Sequence, residues 1–177
     1  MRKLLLRNFI HGPLTESAPP TDESALAELG RQLARSSRRR LGRALSIRQV
    51  DAGSCNGCEL EIHALNNVLY DLERFGLRFV ASPRHADVLL VTGPVTQNMR
   101  EALERTYAAT PDPKWVVAVG DCALDGGCFA GSYAVVGGVS EVLPVDLHIR
   151  GCPPAPTQIL KGLLALLEGL NAKRIGR

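Results

Sequence analysis

The chain has 177 residues, of which 45% are hydrophobic, 22% charged and 5% aromatic, enough for one domain with a real core. No apolar run reaches the ~18–20 residues of a membrane span, and the apolar stretch Leu4–Leu6 is too short for a signal peptide. The sequence therefore predicts a cytoplasmic chain. Structural disulfides are rare in that compartment, so the five cysteines favour metal ligation.

The net charge of +3 is unevenly distributed along the chain. Residues 1–50 contain ten Lys and Arg against four Asp and Glu, whereas residues 51–177 contain eleven against fourteen. We therefore predict a basic N-terminal arm over residues 1–45, partly helical or extended, followed by a mildly acidic domain over residues 46–177.

The arm begins irregularly, because prolines and glycine interrupt residues 1–21, and a helix is predicted from about Thr21. Leucines at helical spacing share this helix with six arginines: Arg31, Arg35, Arg38, Arg39, Arg40 and Arg43. Two interpretations remain open, a solvated arm and a helix docked on a partner or on anionic lipid. Nucleic acid is disfavoured as a partner because no aromatic residues interleave with the arginines.

From residue 46 onwards, short apolar runs alternate with helical patterns. The predicted strands are Ser46–Val50, Leu77–Ala81, Asp87–Thr92, Trp115–Gly120 and Pro144–Ile149. The predicted helices are Cys58–Phe75, Thr96–Ala108 and Pro156–Leu170. Alternation of this kind predicts a flavodoxin-like α/β fold, with an open, mostly parallel sheet and helices on both faces.

Four of the cysteines follow predicted strands. Cys55 and Cys58 come after the first strand, Cys122 after the strand that ends at Gly120, and Cys152 after the last strand. Because the carboxyl ends of parallel strands meet at one edge of a sheet, these thiols are expected to converge there. Glycines beside the thiols and the prolines after Cys152 also suit a cluster-binding loop.

The residues alone leave several interpretations of this set open. Buried structural cysteines do not account for four thiols at strand ends. A thioredoxin-like dithiol needs only the Cys55–Cys58 pair and leaves Cys122 and Cys152 without a role. Zinc accepts four thiolates but typically uses two short cysteine pairs. An iron–sulfur cluster is favoured over these alternatives.

Five ordered motifs, spread over roughly residues 46–170, carry a resemblance to a known family. They are the runs at residues 51–62, 70–76, 82–87, 91–96 and 151–154. The sequence resembles the small, electron-transfer subunit of energy-converting, membrane-bound [NiFe] hydrogenases of the formate hydrogenlyase type. The same superfamily includes the 20-kDa-type subunit of respiratory complex I.

The resemblance implies one [4Fe–4S] cluster on Cys55, Cys58, Cys122 and Cys152 and no catalytic residue in this chain. The implied role is an electron relay, an oxidoreductase subunit of a hydrogenase whose active site lies in a large [NiFe] partner subunit. A ferredoxin-like iron–sulfur subunit and, indirectly, membrane-embedded subunits are further implied partners. The complex is expected on the cytoplasmic face of the cell membrane, as a peripheral assembly.

Two sequence details refine this expectation. Complex I subunits typically have adjacent cysteines in the first motif, whereas Cys55 and Cys58 are separated by Asn56 and Gly57, as in the hydrogenases. A complex I-like subunit that reduces quinone is therefore the alternative, and a stand-alone dithiol oxidoreductase the lesser one. Glu59 is a candidate for a proton path or an interface, and Cys128 is an extra thiol that competes with Cys122 as third ligand.

Overall fold

The computed structural model describes Arg7 and residues 23–175. The irregular segment predicted over residues 1–21 lies, apart from Arg7, outside the described residues. The elements in chain order are α1 (Glu23–Leu41), β1 (Leu45–Asp51), α2 (Gly57–Ala64), β2 (Leu77–Phe79), β3 (Val88–Thr92), β4 (Val95–Thr96), α3 (Gln97–Ala109), β5 (Trp115–Val119), α4 (Asp121–Asp125), β6 (Val135–Gly137), β7 (Leu147–Ile149) and α5 (Pro156–Ile175).

Five strands form one parallel sheet in the order β2-β1-β3-β5-β7. This order, with the second strand at the edge beside the first, is that of flavodoxin-like folds. The predicted fold class is therefore confirmed. The sheet places the ends of β1, β3, β5 and β7 along one carboxyl edge, which is where the cysteine loops begin.

Apolar residues of the central strands pack to both sides of the sheet. Val88 and Leu90 of β3 belong to a core shared with α1, α2 and α5, whereas Leu89 and Val91 belong to a second core with α3 and α4. Every residue of β3 is consequently buried. The uninterrupted apolar run of this strand follows from helices covering both faces.

Helix α1 packs against α5 and against a 3₁₀ turn at Leu72–Phe75. Leu33 is fully buried, and Gly30 lies so close to Phe75 that an added Cβ would be 2.4 Å from the ring. The described part of the predicted arm is thus a helix whose leucine face belongs to the core of this chain. The boundary between an arm and a domain at residue 45 stays a prediction.

The helix predicted over Cys58–Phe75 is wrong in its length, since α2 ends at Ala64. The side chain of Asn67 accepts hydrogen bonds from the backbone N–H groups of Leu69 and Tyr70, at 2.9 and 3.0 Å. This local side-chain to backbone bonding competes with helix continuation and turns the chain. The segment then re-forms one turn of 3₁₀ helix at Leu72–Phe75.

The strand predicted over Pro144–Ile149 pairs with β5 only from Leu147 onwards. Before that point, the backbone N–H of Asp146 donates to the carbonyl of Val116 at 2.9 Å, and the carboxylate of Asp146 accepts the N–H of Val116 at 2.9 Å, so a side chain supplies one of the two bonds. The antiparallel pair β4 and β6 was not predicted. Its strands, of two and three residues, are too short to show an alternating pattern.

Candidate metal centre

The loop after β1 presents the first two thiols. One carboxylate oxygen of Asp51 accepts the N–H groups of Gly53 and Ser54, both at 2.8 Å, and closes a tight turn at the end of the strand. Asn56 has a left-handed backbone with φ of 71°, after which α2 begins at Gly57. As a result Cys55 lies in the loop and Cys58 in the first turn of the helix.

A second loop supports the first from the end of β3. Gly93 has a φ of +72°, and a Cβ at this position would lie 2.5 Å from the backbone nitrogen of Ser54. Thr96 donates its hydroxyl to the carbonyl of Ala52 at 3.1 Å, and its backbone N–H donates to the same carbonyl. Only glycine therefore fits at residue 93, and the two loops hold each other in place.

The third thiol comes from the end of β5. Gly120 has a φ of +93°, and a Cβ here would meet the sulfur of Cys58 at 2.6 Å. Cys122 follows in the first turn of α4. A side chain on residue 120 would therefore occupy the space between the first and third cysteine loops.

The fourth thiol is held beside the third by a carboxylate. Asp121 Oδ1 accepts the backbone N–H of Gly151 at 3.1 Å, and the N–H of Asp121 donates to the carbonyl of Gly151 at 2.9 Å. These reciprocal bonds tie the loop after β7, which carries Cys152, to the start of α4. The structure thus gives Asp121 a positioning contact that the sequence alone did not suggest.

All four predicted ligands line one cavity of about 120 Å³ at the carboxyl edge of the sheet. The lining residues are Ser54, Cys55, Gly57, Cys58, Gly93, Asp121, Cys122, Gly151, Cys152 and Pro153. Cys128 is exposed and is not among them. The fold therefore brings together the four thiols that the sequence singled out and leaves the extra thiol beside the cavity.

The thiols also act on one another electrostatically. Burial, with smaller contributions from the nearby Glu59, Cys55, Cys122 and Cys152, raises the pKa of the Cys58 thiol to about 12. Burial likewise raises the pKa of Cys122, with contributions from Cys128 and Cys152, although a hydrogen bond from the backbone N–H of Cys128 acts in the opposite direction. Thiolates gathered here need a cationic partner, because burial and mutual repulsion disfavour their negative charge.

The spacing of the thiols bears on which metal group fits. Within residues 23–175, no three His, Cys, Asp or Glu side chains are grouped closely enough to hold a single metal ion. A zinc site needs all four sulfurs about 2.3 Å from one ion. A cubane cluster instead takes one thiolate on each of four irons, so its ligands stand farther apart. The four thiols that line the cavity match the number of ligands that a cubane cluster takes.

Glu59 lies directly after Cys58 and is only 5% exposed. Neither of its carboxyl oxygens has a hydrogen-bond partner among the described residues. Its neighbour Leu60 is 61% exposed, although it is apolar. A buried carboxyl without partners beside an exposed leucine is unusual for a surface that faces only water.

Comparison with known proteins adds the family. The family described as "NADH ubiquinone oxidoreductase, 20 Kd subunit" matches residues 55–166, which span the first to the fourth cysteine of the cavity. The match spans most of the α/β domain with its cysteine-lined edge, and the chain belongs to this family.

Individual relatives are named as subunits of a formate hydrogenlyase and of a membrane-bound hydrogenase. Formate hydrogenlyase subunit 7 of Escherichia coli is 43% identical over 88% of this chain, and the chain spans 59% of that protein's length. A probable membrane-bound hydrogenase subunit of Pyrococcus furiosus is 47% identical over 73% of this chain and 78% of its own length.

A solved structure shares the fold. It belongs to the membrane-bound sulfane sulfur reductase, an archaeal respiratory membrane complex, and one of its chains superposes with a TM-score of 0.66 at 34% identity. The match covers 79% of this chain and 76% of that one. The chain is therefore an oxidoreductase-family subunit of the hydrogenase and complex I type, related to subunits of membrane-bound complexes.

None of the helices within residues 23–175 combines the length and the apolar character needed to cross a bilayer.

Proposed function

We propose that this chain holds one [4Fe–4S] cluster on Cys55, Cys58, Cys122 and Cys152 and relays electrons in a hydrogenase complex. The relay runs between a ferredoxin-like iron–sulfur subunit and the [NiFe] centre of a large partner subunit, in either direction. The observation that carries the proposal is the convergence of four thiols, from three separate strand ends, on one cavity.

When bound, a [4Fe–4S] cluster supplies one-electron oxidation and reduction. The residues of this chain hold and insulate it. The four thiolates provide one ligand for each iron, and the bare backbone of Gly120 leaves room for the sulfur of Cys58. The loops are fixed by backbone and carboxylate hydrogen bonds, so the ligands need little rearrangement when charge changes.

Glu59 is our candidate for the residue that carries the proton accompanying electron transfer at the partner interface. Its carboxyl lies beside a cluster ligand, buried and without hydrogen-bond partners in the described part of the chain. A buried carboxyl of this kind is satisfied either by carrying a proton or by a donor from a partner subunit. The exposed Leu60 beside it supports a position at the contact with the large subunit.

The relatives also favour a membrane-associated assembly. Two of the similar proteins are named as membrane-bound, and the chain itself has no described spanning helix. We therefore infer a peripheral position on the cytoplasmic face of the cell membrane, reached through membrane-embedded subunits.

The main alternative is a complex I-like subunit whose cluster reduces quinone, since the family includes the 20 Kd subunit of NADH ubiquinone oxidoreductase. The third candidate, a stand-alone dithiol oxidoreductase, has a specific observation against it. Such an enzyme uses only the Cys55–Cys58 pair and leaves Cys122 and Cys152, which line the same cavity, without a role.

The test is anaerobic purification of the tagged full-length chain from its own cells, with and without Cys152→Ser. We expect a co-purifying large subunit with two C-x-x-C pairs, and a paramagnetic cluster signal that appears under hydrogen and is altered or lost in the variant. A partner without those cysteines, together with oxidation of the cluster by quinone, would favour the complex I-like alternative. Thiol-exchange activity of the chain alone would favour the third candidate.

A further inference from the structure

Four arginines form an outward stripe on α1, and nothing in the cluster chemistry accounts for them. An α-helix turns by about 100° per residue, so three of the four side chains leave the helix axis within about 60° of one another: Arg31, Arg35 and Arg38. Arg39 lies beside them. All four are exposed. The buried Leu33 lies roughly 140–160° around the helix from the first three. We call these four residues the arginine stripe.

The stripe carries unneutralised charge. Arg31 pairs with Glu28 at 2.8 Å, but no ion pair within residues 23–175 involves Arg35, Arg38 or Arg39. The remaining arginines of the helix region are occupied differently: Arg43 is bound to the buried Asp87, and Arg40 is half-buried. The stripe is therefore available for an external anionic partner.

Its position separates it from the metal centre. Helix α1 ends at Leu41, four residues before β1 starts, so the C-terminal end of the stripe lies toward the amino edge of the sheet. The thiols lie at the carboxyl edge, roughly 20 Å away across the seven residues of β1. A partner on the stripe therefore leaves the cluster edge open to another subunit.

We propose that the arginine stripe docks this chain onto anionic membrane lipid. A protein interface combines arginines with aromatic and apolar side chains at its centre, whereas the stripe presents arginines without them. In the part of the chain that the structure describes, the exposed large apolar residues all lie on elements other than α1: Leu60, Val68, Leu69, Phe129 and Tyr133. Nucleic acid is disfavoured because the stripe has no aromatic residue to stack on bases.

The mode of docking follows from the packing of α1. Its leucine face is already buried against α5 and the core, so it is not available for insertion among acyl chains. Docking is therefore electrostatic, and it weakens with salt as the Debye length falls from about 10 Å at 0.1 M to about 3 Å at 1 M. The inference rests on the proposed membrane association and is independent of the cluster assignment.

The experiment is sedimentation of the full-length chain with vesicles of phosphatidylcholine alone or with about one-third phosphatidylserine, across a salt series. The test variant is Arg35→Gln with Arg38→Gln. The control is Arg100→Gln with Arg105→Gln on α3, which lowers the net charge equally but removes arginines already paired with Glu104 and Glu101.

We expect the unmodified chain to bind the anionic vesicles only, at low salt. The test variant should bind about 10-fold more weakly or worse, while the control changes by less than about 2-fold. Equally weakened vesicle binding in both variants would mean that binding depends on net charge and not on the stripe. This result would overturn the proposal. Absence of vesicle binding at every salt would also overturn it and leave an acidic protein surface as the occupant. Iron content measured on the same samples reports separately on the cluster.

Discussion

The two edges of the parallel sheet differ in how their ionisable side chains are paired. At the amino edge the chain satisfies its own charges: the buried carboxylate of Asp87 accepts two hydrogen bonds from Arg43, at 2.6 and 3.0 Å, and one from the N–H of Ser46 at 2.9 Å. At the carboxyl edge four thiols line a cavity, and no Lys or Arg is among the described residues that line it. One edge therefore serves stability, and in our proposal the other holds a cofactor.

Substitution of Gly120 is expected to disrupt the four-thiol cavity at the carboxyl edge more than any other change. Gly120→Ala places a Cβ 2.6 Å from the sulfur of Cys58 at a φ of +93°, where side chains are strained. We expect most of the bound iron to be lost while the chain still folds. Iron analysis after anaerobic reconstitution measures this directly.

The matched control is Gly169→Ala in α5, where an added Cβ meets no atom within 4 Å. This variant should keep its iron and gain up to about 1 kcal/mol of stability from the better helix former. Equal iron in both variants would show that the cavity does not depend on a bare residue 120.

The thiol chemistry of the metal-free chain sharpens the contrast. Because burial raises the pKa of Cys58 from its ordinary 9.0 to about 12, the folded thiol keeps its proton at pH 8. We expect iodoacetamide to modify Cys58 at least about 100-fold more slowly in the folded chain than in urea, since only the thiolate reacts. Peptide mass spectrometry over time gives both rates.

The sign of the linked stability follows from the same shift. A thiol whose pKa is higher in the folded than in the unfolded state binds its proton more tightly when folded. The metal-free chain should therefore lose stability as the pH rises above about 9, where the unfolded thiol ionises first. A modification rate for Cys58 that is the same folded and unfolded would contradict the buried position of this ligand.

At the amino edge, Asp87→Asn should destabilise the chain without disturbing the metal centre. The change removes the charge of a carboxylate that is 6% exposed. Its ion-pair partner Arg43 is 57% exposed and can be solvated by water instead. We expect a loss of about 1–3 kcal/mol in the free energy of unfolding, less than for a fully buried pair. Urea titration measures it, and iron per folded chain should stay constant. A large loss of iron would mean that the two edges are coupled.

The smallest effect is expected at Glu59. Replacing it with Gln removes a buried charge whose oxygens have no described partners, so the isolated chain should be unchanged or more stable by up to about 1 kcal/mol. The same variant in the complete complex should slow proton-dependent turnover if Glu59 carries a proton there. A clear loss of stability in the isolated chain would instead show that the carboxylate makes a structural contact.

The sequence was most informative where the chain is periodic and where chemistry marks the strand ends. The buried run of β3 and the spacing of the four cysteines predicted a parallel sheet with thiols at one edge, and the fold matches. Residues 65–71 could not be assigned in the same way, because an Asn67 side chain, and not helix propensity, decides where α2 stops.

Other details of the site depend on contacts between residues far apart in the chain. The link from Asp121 to Gly151 spans 30 positions, and the clearance between Gly120 and the sulfur of Cys58 spans 62 positions. Nothing in the neighbouring sequence marks such pairs. The same is true of α1, whose leucine pattern predicted a helix but did not reveal that its apolar face packs on α5 of this chain.

The central claim, that four named thiols hold a cluster and the fifth does not, is tested most directly by iron and sulfide content. We predict about four irons and four inorganic sulfides in the anaerobically reconstituted chain, because each thiolate of a cubane binds one iron. Cys128→Ser should keep this content, whereas Cys122→Ser should lose or convert the cluster. Loss of iron from the Cys128 variant, with retention in the Cys122 variant, would contradict the assignment.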